Sequence, residues 1–268
     1  MLAYGPLARH LVDHCPVPLT DAFVLDVGAG TGAAGEVLHE RGAVVVAADL
    51  QHGMLSGGAV HEEMRVVADL TAMPLRSAAF DIVVAAFVLN HLADPGAGLG
   101  ELRRLVRPGG VVLASSFSID RAPAKHAVDV TAAAFGWQAP PWYRHLQARA
   151  AGLGTADQLA AAARHAGLMD VTVTDTDVDI GLDDAALVAR YRLGMPQLAG
   201  FVRALPQARR DALVRAAGVA VAATGETFRP AVLELVACVS PDERRSGDAA
   251  AGRARRLPAP AASPTAWR

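Results

Sequence analysis

Three aspartates near the start of the chain could do chemistry together. Asp26, Asp49 and Asp69 close or nearly close the apolar runs VLDV, AVVVAAD and MRVVAD. A carboxylate in such a place can neutralise a cation, accept from both hydroxyls of a ribose, or accept from an adenine amino group. Gly28, Gly30 and Gly32 alternate just after Asp26 in VLDVGAGTG. Lacking Cβ atoms, they let a backbone approach a ligand closely where a helix begins and its N–H groups are free. Gly30, Gly32 and Gly35 also spell G-x-G-x-x-G, the fingerprint of a dinucleotide turn. Asp26 weighs against that guest, because an acid there would face a pyrophosphate, whereas it suits a cation. His91, in LNHLADP, is the candidate general base. Asn90 beside it can orient a substrate. His145, in PPWYRHL, is a second candidate base with aromatic neighbours.

These residues need a frame. Apolar runs at 22–28, 43–49, 64–69, 80–87 and 111–118 alternate with helical patterns. Such continuous runs mark strands buried on both faces, and the alternation implies parallel strands with helical crossovers. Asp26, Asp49 and Asp69 then line one crevice at the carboxyl ends of neighbouring strands. Further on, 122–135, 155–167, 183–205 and 206–223 read as helices, with Pro196 breaking the third. DVTVTDTDVDI and FRPAVLELVACVS read as two last strands. The expected fold is α/β: a doubly wound, mostly parallel, seven-stranded Rossmann-like sheet with an antiparallel last strand. A helical cap covers its carboxyl edge. One domain spans 1–240, with cap insertions at about 120–154 and 183–223. Residues 241–268 are too poor in large apolar side chains to order themselves.

The segments VLDVGAGTG, AADLQHGML, VVADLTAMPLRSAAFDIVVAAFVLNHLADP and ELRRLVRPGGVVLASSF occur in that order. Together they resemble the ordered motifs of class I S-adenosylmethionine-dependent methyltransferases, in particular the branch of the ubiquinone and menaquinone C-methyltransferases. The resemblance covers roughly residues 22 to 118. It implies S-adenosylmethionine as cofactor and S-adenosylhomocysteine as product. Asp26, Gly28, Ala29, Gly30 and Gly32 would hold the methionyl end, and Asp49 the ribose. Leu50 and Met54 would pack on the adenine, and Asp69 and Leu70 would read its edge. Ala85 and Phe87 would lie against the sulfonium, with Tyr4 closing over the cofactor. Asp81 matches a family position but reads as structural.

Composition narrows the partners. A formal net charge of -2 gives no electrostatic case for nucleic acid, which needs a basic face, so no nucleic-acid partner is expected. No apolar run is long enough to span a bilayer, and the opening MLAYGPLARHLVDH lacks the pattern of a signal peptide. Two cysteines far apart in sequence fit a reducing cytoplasm. There is no zinc pattern or cysteine cluster, so no metal is expected. The strand-four exit, AAFVLNHL, is not the NPPY-like stretch of amino-group methylases.

Trp137, Trp142, Tyr143 and Tyr191 lie in the insertions and would line a pocket for a hydrophobic small molecule, such as a secondary metabolite methylated on oxygen or carbon. The expected assembly is a monomer or homodimer. Two rival readings stay open: an NAD(P)-dependent oxidoreductase, and a repurposed member of the same fold acting as a cyclase or binding module.

Overall fold

The computed structural model describes residues 3–57, 64–118, 123–225 and 229–241. The tail expected at 241–268 lies outside the described residues, apart from Pro241. The chain opens with helix α1 (Tyr4–Asp13). There follow β1 (Phe23–Val27), α2 (Ala33–Glu40), β2 (Val44–Asp49), the short α3 (His52–Ser56) and β3 (Met64–Val67). Next come β4 (Phe80–Ala86), α4 (Pro95–Leu105) and β5 (Val106–Phe117). The second half adds α5 (Pro123–Ala134), α6 (Pro141–Ala150), α7 (Ala156–His165) and β6 (Met169–Asp177). It ends with α8 (Ala185–Leu193), α9 (Pro196–Ala204), α10 (Gln207–Ala222) and β7 (Ala231–Cys238).

The seven strands form one sheet in the order β3-β2-β1-β4-β5-β7-β6. The first five pair in parallel. Only β7 runs against its neighbours, pairing antiparallel with both β5 and β6. This is the expected doubly wound sheet, and the order reverses between β1 and β4, where such folds open their ligand crevice.

The central strands are buried on both faces. Leu25, Val83, Val112 and Leu235 belong to one core, and Val24, Ile82, Val84 and Leu113 to the other. Helices α4 and α7 supply the first face, α1 and α2 the second. A third apolar cluster joins α5, α8, α9 and α10 through Val128, Leu193, Leu198 and Leu213.

Helix α4 ends at Leu105, and strand pairing starts at Val106. The register then jumps from Phe80–Val106 to Ile82–Val111, so Arg107 to Gly110 form a bulge. Gly110 has no room for a side chain there, since a Cβ would sit 2.5 Å from the Asp81 carbonyl. The helix expected over 183–205 is two helices, with Pro196 opening the second. Its missing N–H costs nothing at that first-turn position.

Candidate active site

The glycine turn is built by conformation and by crowding. Gly28, Gly30 and Gly32 have φ of 67°, 58° and 89°, a region that side chains disfavour. The Gly28 and Ala29 amides both donate to the Ala48 carbonyl, at 2.7 and 3.0 Å, which ties the turn to the end of β2. Gly28 also faces Val88, whose Cγ2 would lie 2.5 Å from an added Cβ. Gly32 caps α2 without a side chain.

The three acids stand where the sequence reading put them, each with a distinct local role. Asp26 is buried in β1 at 1% exposure. Asp49, at the end of β2, accepts from the Gly30 amide at 2.9 Å and from the Gln51 amide at 2.8 Å. It thereby clamps the glycine turn to the next strand. Asp69 follows β3 and caps the turn Leu70–Ala72, accepting from both the amide and the hydroxyl of Thr71 at 2.8 Å. Those bonds hold its carboxyl below the usual carboxylate range. Around these acids, Leu50 and Met54 are exposed, at 61% and 43%, although both are apolar. Leu50 directly follows Asp49, and Met54 Cε would lie 3.5 Å from a Cβ at Gly30. Leu70 is buried beneath.

The exit from β4 carries the candidate base. Asn90 and His91 lie on the short turn Leu89–His91, against which α6 packs. The His91 side chain reaches solvent, yet enough protein surrounds it to disfavour the charged ring. That desolvation, aided by Arg149, holds the imidazole below the usual histidine range, while Asp49 pulls the other way. Asn90 Oδ1 is buried with no hydrogen-bond partner among the described residues, so it is an acceptor available to a ligand. His145 is exposed on α6.

Aromatic residues gather over the ends of β4 and β5. Ala85 is fully buried in β4. Phe87 has φ of 57°, rare for a bulky residue, and its ring lies 4.6 Å from Phe117 and 5.6 Å from Tyr4. Tyr191 joins the same cluster. Burial raises the Tyr4 hydroxyl and pushes Tyr191 up to about 12, so both remain hydrogen-bond donors rather than phenolates.

The expected pocket aromatics are divided. Trp137 packs inside the cap cluster, and its indole N–H donates to the Gln197 carbonyl at 3.0 Å. Tyr143 is buried, and its hydroxyl accepts from Arg192 Nη2 at 2.8 Å. Trp142 is half exposed and meets Tyr143 edge-on at 5.7 Å. Asp81 does structural work, accepting from the Phe23 amide at 2.7 Å and pairing with Arg107 at 2.6 Å.

Sequence reasoning missed a buried polar junction. Arg192 Nε and Nη2 donate to the two Asp129 oxygens at 3.1 and 2.9 Å. Gln197, with its amide oxygen turned inward, accepts from Arg192 Nη1 at 2.8 Å. The four side chains come from α5, α6, α8 and α9. No linear pattern links them, and AALVARYRLGM holds two arginines, of which only the structure shows that Arg192 is buried and Arg190 exposed.

A family model described as a methyltransferase domain matches residues 25–114. Within that stretch the chain is similar to a methyltransferase domain. The matched stretch runs from β1 to the middle of β5 and contains the glycine turn, Asp49, Asp69 and the His91 turn. Over it, the chain resembles the class I S-adenosylmethionine-dependent methyltransferases. The demethylmenaquinone methyltransferase of Mycolicibacterium vanbaalenii is 41% identical over 95 residues, which is 35% of this chain and 42% of that protein. That of Corynebacterium urealyticum is 41% identical over 95 residues, again 35% of this chain and 41% of that protein. The chain therefore spans less than half the length of these curated relatives.

Solved structures share the fold over most of the chain. A putative methyltransferase from an antibiotic biosynthesis pathway of Anabaena variabilis superposes with a TM-score of 0.61 at 13% identity, covering 87% of this chain and 96% of that one. The [4+2]-cyclase SpnF gives 0.54 at 19% identity, covering 88% and 81%. A phosphoethanolamine N-methyltransferase of Haemonchus contortus gives 0.58 at 18% identity, covering 87% and 52%.

Proposed function

We propose that this chain is an S-adenosylmethionine-dependent methyltransferase that acts on oxygen or carbon of a hydrophobic small molecule, with quinone-like rings the first class to test. The observation that carries it is the clamp of Asp49 on Gly30. It sets an ionisable acid and a side-chain-free turn beside two exposed apolar residues, Leu50 and Met54. When bound, S-adenosylmethionine supplies an electrophilic methyl group on a sulfonium. Asp26 and the glycine turn would hold its methionyl end, Asp49 its ribose diol, and Leu50, Met54 and Asp69 its adenine. The orphaned Asn90 Oδ1 suits an ammonium or hydroxyl donor. The aromatic cluster of Tyr4, Phe87, Phe117 and Tyr191 would keep water from the acceptor, which matters because in-line displacement depends mainly on alignment. The demethylmenaquinone methyltransferase relatives support a quinone-like acceptor over a smaller polar one.

Calorimetry with S-adenosylhomocysteine and NAD, followed by turnover against quinone and phenol acceptors, tests this reading. Binding of NAD without S-adenosylhomocysteine would overturn it. The likeness of fold to SpnF favours one second reading, a repurposed cyclase. Tight S-adenosylhomocysteine binding with no methyl transfer to any acceptor would move the balance there.

His91 would take the acceptor proton. Its depressed pKa keeps the neutral, basic form populated to lower pH than a free imidazole allows. The acid limb of the pH–rate profile is therefore expected below the ordinary histidine range. His91→Ala should lower turnover by about tenfold or more and abolish that limb, with S-adenosylhomocysteine affinity unchanged. Unchanged turnover and an intact limb would return His91 to a structural role.

A further inference from the structure

A second cluster of chemistry-bearing side chains lies on the α1 face of the sheet. Glu234 sits in the middle of β7, opposite Ser115 of β5 and Thr174 of β6, and is only 2% exposed. A carboxylate so placed needs charge or several hydrogen bonds to compensate its lost hydration. Among the described residues no lysine or arginine pairs with it. Two imidazoles face it instead. His10 Nδ1 lies 2.9 and 3.0 Å from its two oxygens, and His14 Nδ1 lies 3.0 Å from Oε2. His10 and His14 are one helical turn apart at the end of α1, with ring centroids 4.8 Å from each other. The same nitrogen of each ring is turned inward, and the three ligating groups present atoms within 4.8 Å of one another.

We propose that His10, His14 and Glu234 bind one divalent first-row transition ion of the zinc(II) class. Each Nδ1 lies 2.9 or 3.0 Å from a Glu234 oxygen, close to the separation of two ligands that one ion holds at roughly 2.0–2.2 Å. Two imidazoles and one carboxylate suit zinc, cobalt or nickel better than calcium or magnesium, which take oxygen ligands. Three protein ligands leave a tetrahedral ion one position for water. The half-exposed rings, at 34% and 47%, give both that water and the ion a way in. His14 Nδ1 also lies 2.9 Å from the His10 carbonyl, so an N–H there can donate to that oxygen or to Glu234. Binding replaces the Nδ1 protons, which leave to solvent. The ion ties the last turn of α1 to β7, while the first turn of the same helix holds Tyr4 on Phe87. The expectation of no metal rested on linear motifs, and Glu234 is 224 residues from His10 in the chain.

The test uses the untagged full chain stripped with a chelator. Zinc(II) uptake is measured by calorimetry and elemental analysis, and cobalt(II) is added as a visible-spectrum probe. One equivalent per chain is expected, with a tetrahedral cobalt band and a raised melting temperature. His10→Ala and His14→Ala, both at partly exposed positions, should each weaken binding by about tenfold or more and erase the cobalt band. Cys15→Ser, beside the cluster, should leave both intact. Circular dichroism checks that each variant folds. Failure of the parent chain to take up stoichiometric zinc, or uptake that neither histidine variant reduces, would overturn the proposal.

Discussion

Gly28→Ala is expected to lower folding stability by about 2–4 kcal/mol. Two effects add. The backbone at Gly28 has φ of 67°, which strains a residue with a Cβ. The added methyl would also lie 2.5 Å from Val88 Cγ2 and 2.6 Å from Val88 Cβ. The end of a β-branched side chain held against the turn cannot swing away as a long flexible one can. Urea melts of the parent and the variant give the difference. Gly28→Ala combined with Val88→Ala separates the two contributions, because it removes the overlap and leaves the strain. The double variant should recover part of the loss, after correction for Val88→Ala alone. A single variant as stable as the parent would mean that the turn does not pass as close to Val88 as described.

Asp49→Ala is expected to raise the dissociation constant for S-adenosylhomocysteine by roughly a hundredfold, about 2.7 kcal/mol. That is the net worth of one hydrogen bond to a charged acceptor, about 1.5–3 kcal/mol. The variant also frees the Gly30 amide from its 2.9 Å bond, so the turn loses its fixed form before any ligand arrives. Asp49→Asn separates these roles. It keeps one carbonyl oxygen and the shape while removing the charge, and about a tenfold loss is expected. Calorimetry measures all three proteins. If Asp49→Ala binds as tightly as the parent, the ribose lies elsewhere and the cofactor pose is wrong.

The parallel half of the sheet was legible because its strands are uninterrupted apolar runs, each followed by a turn residue whose job is local. Gly28 reveals its φ and Asp49 its strand end without knowledge of any distant partner. Pro196 likewise marks the start of α9. What could not be read depends on groups that meet only after folding. Arg192 and Asp129 are 63 residues apart, and nothing in either segment names the other. Trp137 and Tyr143 looked like pocket walls because aromatic residues in an insertion suit a ligand and a core equally well. Their hydrogen bonds to Gln197 and Arg192 now place those polar tips inside the cap. The spacing of His10 and His14 was visible, but it gained meaning only when β7 brought Glu234 beneath α1.

The junction of Arg192 with Asp129, Tyr143 and Gln197 bears on how the cap moves. Each of four helices commits one polar group to a nearly dry contact, so withdrawing α5 or α8 leaves a charge without its partner, and withdrawing α6 or α9 leaves Arg192 short of an acceptor. Partial fraying is thereby penalised, and the four helices are expected to open together. Amide hydrogens of α5, α6, α8 and α9 should therefore exchange with one shared opening free energy, distinct from that of β1 and β4. An acceptor entering beneath them would wait on a single concerted event.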